Sequence, residues 1–369
     1  MLIVWLAGMT YCAVALVAIV RFTRRSVVLA ADLPSITVLK PVHGLEAELF
    51  ENLCSFCDQD AAVFQVIFGV ARPDDPAIDV IRRVIERFPR GDLLLVIDDR
   101  PFTGNPKVAN LQSMIAHARY DLLVIADADM RVDRTYLRAL CADFVDERVG
   151  AATCLYAGVA HGGIASQLAV LQLNDQFAPS VLVATLAGDP RFCLGSTMAV
   201  RRSALETIGG LGALAPYLAD DYMLGALLRA RGYRVVLSRY VVRNVVAEPG
   251  IGALLQHELR WARTIRSVQT LGYVCSFVTF PLPFALAWAL LSPTITAWIA
   301  LGITLAARVA MHAAVRRAFA LSTSAPAWLL PLRDCMGLGV WAAGLFGRTV
   351  RWKDQQLGVT DLLRNGGNL

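Results

Sequence analysis

The sequence predicts an α/β protein: a mostly parallel sheet flanked by helices, with an amino-terminal transmembrane helix and carboxyl-terminal membrane helices. Three observations predict it. Short apolar runs alternate with helical stretches between about residues 35 and 126, the pattern of parallel strands joined by right-handed crossovers. The run Leu122-Leu123-Val124-Ile125-Ala126 is apolar throughout, as a strand covered on both faces should be. Of the 369 residues, 56% are hydrophobic and the mean hydropathy is +0.52, above the roughly 45–50% apolar share of soluble domains.

That excess lies at the two ends. Residues 1–20 carry no charge and are about long enough to cross a bilayer. Arg21, Arg24 and Arg25 follow the run, whereas a cleaved signal peptide has its positive charges in front. Residues 1–22 are therefore expected to form a retained anchor with its basic flank in the cytoplasm. A second apolar zone, 271–347, offers candidates near 271–291, 293–307 and 326–347. Arg308, Arg316 and Arg317 follow the middle one and Arg348, Arg351 and Lys353 the last. One complete span cannot separate two cytoplasmic clusters. Arg333-Asp334 singles out the last candidate as interfacial or re-entrant. Residues 348–369 form a tail.

Between these zones, 34–268 is long enough for one catalytic domain. The net charge of +5 resides largely in arginines beside apolar runs, which points to membrane topology and anionic headgroups and away from nucleic acid. Eight cysteines form no framework, and the isolated Cys54-x-x-Cys57 makes neither a zinc nor a redox site. Reduced thiols fit a cytoplasmic domain.

Strands are expected at 35–39, 64–70, 93–97 and 121–126, with helices at 45–57, 77–88 and 107–118. After 126 come a helix near 133–143, strands near 150–155 and 197–200, a helix beginning at 204, another from 220 to 229, and a strand at 234–237. The nearly uncharged stretch 165–186 is a core helix or lies against the membrane. Residues 256–266 (QHELRWARTIR) form a basic helix before the second apolar zone.

The central strand ends in Asp127-Ala128-Asp129. Carboxylates two apart in extended chain face the same way, at the carboxyl end of the strands where open α/β sheets bind ligands. Two hard oxygen ligands there suit a divalent cation with a phosphate-bearing substrate; the alternative is a solvated acidic turn. Acidic residues also follow the second strand (Asp74, Asp75), and Asp220-Asp221 opens a later helix. His257-x-x-Arg260-Trp261 lies on the basic helix.

This order resembles the family-2-like glycosyltransferases, and more closely the ceramide glucosyltransferase family. Leu39-Lys40-Pro41, Asp74-Asp75-Pro76-Ala77-Ile78-Asp79, Asn105-Pro106-Lys107-x-x-Asn110-Leu111, Ala219-Asp220-Asp221-Tyr222 and Arg260-Trp261 carry the resemblance. Phe68-Gly69-Val70, Thr153-Cys154-Leu155-Tyr156, Leu194-Gly195-Ser196-Thr197-Met198 and His257-Glu258-Leu259-Arg260-Trp261 look nearest the bacterial hopanoid-biosynthesis branch. The resemblance covers nearly the whole chain. It departs at Arg72, where the family has an Asp, and at His257, the first position of (Q/R)xxRW.

The resemblance implies a GT-A fold and an inverting transfer of one hexose, glucose or N-acetylglucosamine, from a UDP-sugar to a lipid hydroxyl of a hopanoid or ceramide. It implies Asp221 as general base. Asp220 beside it would raise its pKa by like-charge repulsion, unless the pair merely caps a helix. Asp127 and Asp129 would hold Mg2+ or Mn2+ against the diphosphate. Asp74 or Asp75 would take over nucleotide recognition from the missing Asp. Lys107 and Asn110 would contact the donor, or form an ordinary helix surface. Arg260 can grip diphosphate oxygens while Trp261 shapes a pocket and His257 donates or stacks; alternatively Arg260 and Trp261 are interface anchors. His161 and His312 belong to no motif and are given no role.

A bacterial inner-membrane enzyme with a cytoplasmic catalytic domain is thus expected. The competing readings are a processive polysaccharide synthase, which needs a wider bundle of spans, and a non-catalytic membrane scaffold that keeps the fold.

Overall fold

The computed structural model describes residues 1–31, 34–61, 63–321, 325–347, 349–352 and 355–358. The expected tail, 348–369, lies mostly outside them; Thr349–Trp352 and Gln355–Gly358 pair as a short antiparallel ribbon. The chain divides into two compact units.

One unit comprises the described residues of Ser26–Tyr156 and Ala187–Val245, and is built on a sheet. Its strands are β1 (Ile36–Val42), β2 (Phe64–Val70), β3 (Asp92–Ile97), β4 (Leu122–Ala126), β5 (Met130–Arg131), β6 (Val149–Ala160), β7 (Thr197–Arg201) and β8 (Arg234–Val246). Among the described residues their order is β3-β2-β1-β4-β7-β6-β8-β5. The first four run parallel, with Val38 beside Val66 and Val124. β7 runs antiparallel to β4 and to β6, and β5 antiparallel to β8. The sheet is therefore mixed, its parallel half being the part read from the alternating strands and helices.

The uninterrupted apolar run of β4 is explained by its two covered faces. Val38, Val66 and Val124 join one buried cluster, with Phe56, Ile81 and Tyr136. Their sequence neighbours Leu39, Ile67 and Ile125 join another on the opposite face, with Leu111, Met114 and Leu224. This is the period-2 alternation of a strand, invisible in hydropathy because both faces are dry. The helix Pro106–Ile115 starts at Asn105, whose side chain caps the Lys107 and Val108 amides. It approaches β2 so closely that a Cβ on Gly69 would lie 2.3 Å from Asn110 Oδ1 and Met114 Sδ, so a larger residue there would have to displace both side chains.

The other unit comprises Met1–Arg25, Ala157–Leu186 and the described part of Val246–Asp361. Two of its helices are long and apolar enough to cross a membrane, Leu2–Thr23 and Ile295–Ala318. A further pair, Thr270–Thr279 and Pro281–Leu291, is bent by 56°, as expected where Pro281 and Pro283 interrupt the run. The helix Leu330–Gly344 has 15 residues, short of the length of a straight span.

Here the structure corrects two sequence readings. Arg308 does not flank the middle apolar helix. It lies within Ile295–Ala318, fully buried, with its guanidinium forked onto Asp334 at 2.9 and 2.7 Å. His312 also has a role: its Nδ1 faces the Asp175 carboxylate at 3.0 Å. Asp175 sits in a π-helical turn, Leu173–Phe177, inside the apolar stretch read as one helix.

Candidate functional site

Polar side chains from a turn, two helices and two strands gather around the carboxyl end of β4. The chain leaves β4 at Ala126 and turns through Asp127-Ala128-Asp129 into β5, the turn closed by the Met130 amide donating to Asp127 O. The two carboxylates are thus offered from a turn and not from the strand itself. Lys107, in the first turn of the helix Pro106–Ile115, places Nζ 2.6 Å from Asp127 Oδ1. Asn244 of β8 donates to Asp129 Oδ2 at 2.7 Å. Behind the turn lies Lys40 of β1, fully buried, donating to the backbone carbonyl of Asp127. Its ammonium stands 3.7 Å above the centre of the Phe56 ring.

Asp220 and Asp221 occupy the first turn of the helix Asp220–Ala230, where the dipole favours negative charge. Neither caps it: Ala219 holds that position and no side chain bonds there. Asp220 accepts from Asn105 Nδ2 at 3.2 Å, so the residue that caps the lysine helix also holds the acidic pair. The Asp221 carboxylate borders Gly195, where an added Cβ would lie 3.0 Å from Oδ2.

The electrostatics follow from burial among like charges. Burial first, and then Asp220, push the Asp221 carboxyl up to about 6. Burial likewise raises Asp220, with Lys107 opposing. Asp129 is pushed up to about 6 by burial and by Asp127 and Glu46. Burial lowers Lys40 to about 7, against the pull of Asp127 and Asp129. Burial works against the Lys107 charge as well, yet Asp127, Asp220 and Asp221 outweigh it and leave the ammonium pKa raised. Lys107 is therefore charged, and it responds to both acidic motifs at once.

The other residues singled out in the sequence are placed as follows. Asp74 is exposed and held by Arg72, Nε to Oδ1 at 2.9 Å and Nη2 to Oδ2 at 2.6 Å. Asp75 is buried, accepting from the Gly44 amide at 3.0 Å and the Ala77 amide at 2.9 Å; it starts the following helix and ties down the loop after β1. Asn110 donates to Gly69 O at 2.8 Å. In the other unit, the helix Ile251–Val268 carries the basic motif. There His257 pairs with Glu248 at 2.9 Å and lies 4.3 Å from the Trp261 ring. Arg260 is half-buried, which lowers its pKa, with Glu248 opposing.

Sequence reasoning gave no role to Lys40, Asn105 or Asn244. Lys40 and Asn105 fell within stretches that carry the resemblance, and Lys40 also stands out as an isolated charge in a strand otherwise apolar apart from Thr37 and Pro41; Asn244 left no trace.

The donor set fits a hard divalent cation. Asp127 and Asp129 supply carboxylate oxygens, and among the described residues no group of three or more His, Cys, Asp or Glu could hold a metal by itself. Two carboxylates completed by phosphate and water oxygens are a usual Mg2+ or Mn2+ arrangement.

A parallel sheet with an acidic turn at its carboxyl edge, joined to an antiparallel half, defines an α/β protein of the GT-A glycosyltransferase type. A mannosyltransferase from Pyrobaculum calidifontis, solved in complex with GDP-mannose and Mn2+, shares the fold with a TM-score of 0.54 at 20% identity, over 93% of this chain and 99% of that one. The chain belongs to glycosyl transferase family 21, whose profile matches residues 1–364. It is similar to ceramide glucosyltransferase 1 of Caenorhabditis elegans, 25% identical over 63% of this chain and 50% of that protein. Ceramide glucosyltransferase 3 of the same organism is 24% identical over 63% and 51%. The chain thus spans about half the length of these relatives.

Proposed function

We propose that this protein is an inverting glycosyltransferase that moves one hexose, glucose or N-acetylglucosamine, from a UDP-sugar to a hydroxyl of a membrane lipid, a ceramide or a hopanoid. The observation that carries this reading is Lys107, which bonds Asp127 at 2.6 Å and feels the charge of Asp220 and Asp221. A cation set between these two acidic motifs is placed to meet the diphosphate of a sugar nucleotide beside a carboxylate that can take a proton. The family supports the class of reaction, and the names of the relatives support glucose and ceramide.

In this reading Asp221 accepts the proton of the lipid hydroxyl as that oxygen attacks the anomeric carbon, from the side opposite the departing UDP. A pKa near 6 leaves it ionised at neutral pH yet basic enough to take a proton. Asp220 maintains that basicity. Asp127 and Asp129 would hold Mg2+ or Mn2+, which when bound neutralises charge on the leaving diphosphate. Lys107 adds its own ammonium to the phosphates, and Lys40 and Asn244 hold the acidic turn in place. Asp75 acts on the nucleotide through the Gly44 loop that it fixes, with Asp74 beside it, while Asn110 orients the lysine helix. Arg260 grips phosphate oxygens, with His257 and Trp261 shaping the pocket.

The membrane is the second partner. Residues 1–22 serve as anchor, 34–268 as a cytoplasmic catalytic domain and 271–347 as membrane segments of a bacterial inner-membrane protein. Among the described residues, two membrane-length helices, or three with the bent pair, accord with single transfer to a lipid better than with export of a polymer.

The test is to incubate the full chain in detergent with Mn2+, radiolabelled UDP-glucose or UDP-N-acetylglucosamine and a lipid extract, and to read the product by mass spectrometry. A lipid carrying one hexose is expected, absent with Asp221→Asn. Labelled polymer, or an equal yield from Asp221→Asn, overturns the proposal.

A further inference from the structure

Between His257 and Arg260 in the basic motif stands Glu258, to which the motif assigns no task. It is buried, and its two carboxylate oxygens take the two terminal nitrogens of Arg333 at 2.6 and 2.8 Å. Arg333 is fully buried on the helix Leu330–Gly344. A parallel two-bond fork restricts rotation as well as distance. A buried ion pair is by contrast weak evidence for stability, because desolvation offsets its attraction. Specifying one packing arrangement is the better-attested use of such a pair.

The anchor is itself held. Asp334, next to Arg333, receives the fork of Arg308 and a bond from Gln176 Nε2 at 3.3 Å. One turn further along the basic helix, Ala262 packs where a Cβ on Gly344 would lie 2.9 Å away. Contact points at 258 and 262 leave the basic helix one orientation against its neighbour. At about 100° per residue, Arg260 projects about 160° around the helix from Glu258 and Trp261 about 60°. Turning Glu258 inward therefore turns Arg260 outward.

We propose that Glu258 and Arg333 are a positioning pair that sets the rotation of the helix Ile251–Val268, and thereby the presentation of Arg260 and Trp261 to the sugar-nucleotide donor. This rests on the donor-contact reading of Arg260 given above. The pair touches no substrate; it acts through Arg260.

The experiment uses the full chain in lipid nanodiscs with UDP-glucose and ceramide. It compares Glu258→Asp, Glu258→Gln, Arg333→Gln and the exchanged pair Glu258→Arg/Arg333→Glu, by donor KM, kcat and hydrogen exchange of residues 251–268. Each single variant is expected to raise donor KM about tenfold or more, as small misplacements of binding groups do, and to speed exchange in that helix. The exchanged pair should restore both. Glu258→Gln added to Arg260→Ala should raise KM no further than Arg260→Ala alone, since the two act as one unit. Unchanged KM with lowered kcat and folded yield, or multiplying effects in the double variant, would overturn the positioning role. If Arg260→Ala leaves donor KM unchanged, the donor contact fails instead. Hydrogen exchange then decides the clamp separately: faster exchange in the single variants, restored by the exchanged pair, upholds it, and unaltered exchange overturns it.

Discussion

Lys107 Nζ lies 2.6 Å from Asp127 Oδ1, so one of the two carboxylates of the acidic turn is already paired from within the protein. The same ammonium feels Asp220 and Asp221. A group in that position can exchange part of its carboxylate partnership for incoming phosphate oxygens without ever standing alone in a buried site.

Removing it should be felt in donor binding first. Lys107→Met should weaken UDP-sugar binding by roughly 10–100-fold, the equivalent of about 1.5–3 kcal/mol for a bond to a charged group. Lys107→Arg should recover much of it. Isothermal titration with UDP in the presence of Mn2+ checks the outcome, and equal affinity for Lys107→Met and the parent would remove Lys107 from the donor site.

The base assignment predicts a pH profile. Asp221 works only when ionised, and its pKa lies near 6. Log kcat should rise with unit slope below pH 6 and level off above it. Asp220→Asn removes a like charge and should shift the midpoint downward, though not to the ordinary carboxyl value of 3.8, because burial is the larger cause. Stability runs the opposite way. A carboxyl whose folded pKa is raised holds its proton more tightly when folded, so its contribution is present below pH 3.8 and is lost as pH rises through 6. A midpoint unmoved by Asp220→Asn would break the coupling on which this rests.

The sequence was most readable where local patterns decide structure. β4 was legible because a strand dry on both faces leaves a continuous apolar run, and the carboxylates after it fall where such a strand must turn. β8 was read only over 234–237, although it extends to Val246. Its alternating burial mixes Arg239 and Arg243 into the strand, which lowers its hydropathy. Strand direction after β4 left no local mark, since it depends on connections. Partnerships across long separations were equally silent: Asn244 meets Asp129 across 115 positions, and Glu258 meets Arg333 across 75. The acidic motifs and Lys107 could each be found one by one, but not the contact through which Lys107 joins them.

Packing beneath the acidic helix offers an independent test. Gly225 lies within Asp220–Ala230, and a Cβ there would stand 2.5 Å from Phe192 Cα and 2.7 Å from the Cys193 amide nitrogen. Backbone atoms cannot rotate aside. Gly225→Ala should therefore push the helix away from residues 192–193 at a cost of about 1–3 kcal/mol, a fall in Tm of a few degrees. Because Asp221 borders Gly195 in the same segment, kcat should fall too, with donor affinity nearly unchanged. An undiminished Tm would mean that the helix already has room.

Lys40 is the least expected member of the site. It is fully buried, donates to the Asp127 carbonyl and rests on the Phe56 ring. Lys40→Met keeps the length and apolar stem of the side chain while removing its donor and its charge. The Asp127 carbonyl would lose its bond to the Lys40 ammonium, and Asp127 and Asp129 would lose the positive charge behind them. Looser geometry in the turn should weaken donor binding at saturating Mn2+ by about tenfold. Mutual repulsion of the carboxylates should make binding depend more steeply on Mn2+ concentration. Leu39 and Val38 pack on opposite faces of the same strand, so the sheet itself should survive and circular dichroism should be unchanged. A Mn2+ titration of UDP binding that overlays the parent curve would show that the acidic turn holds its shape without Lys40.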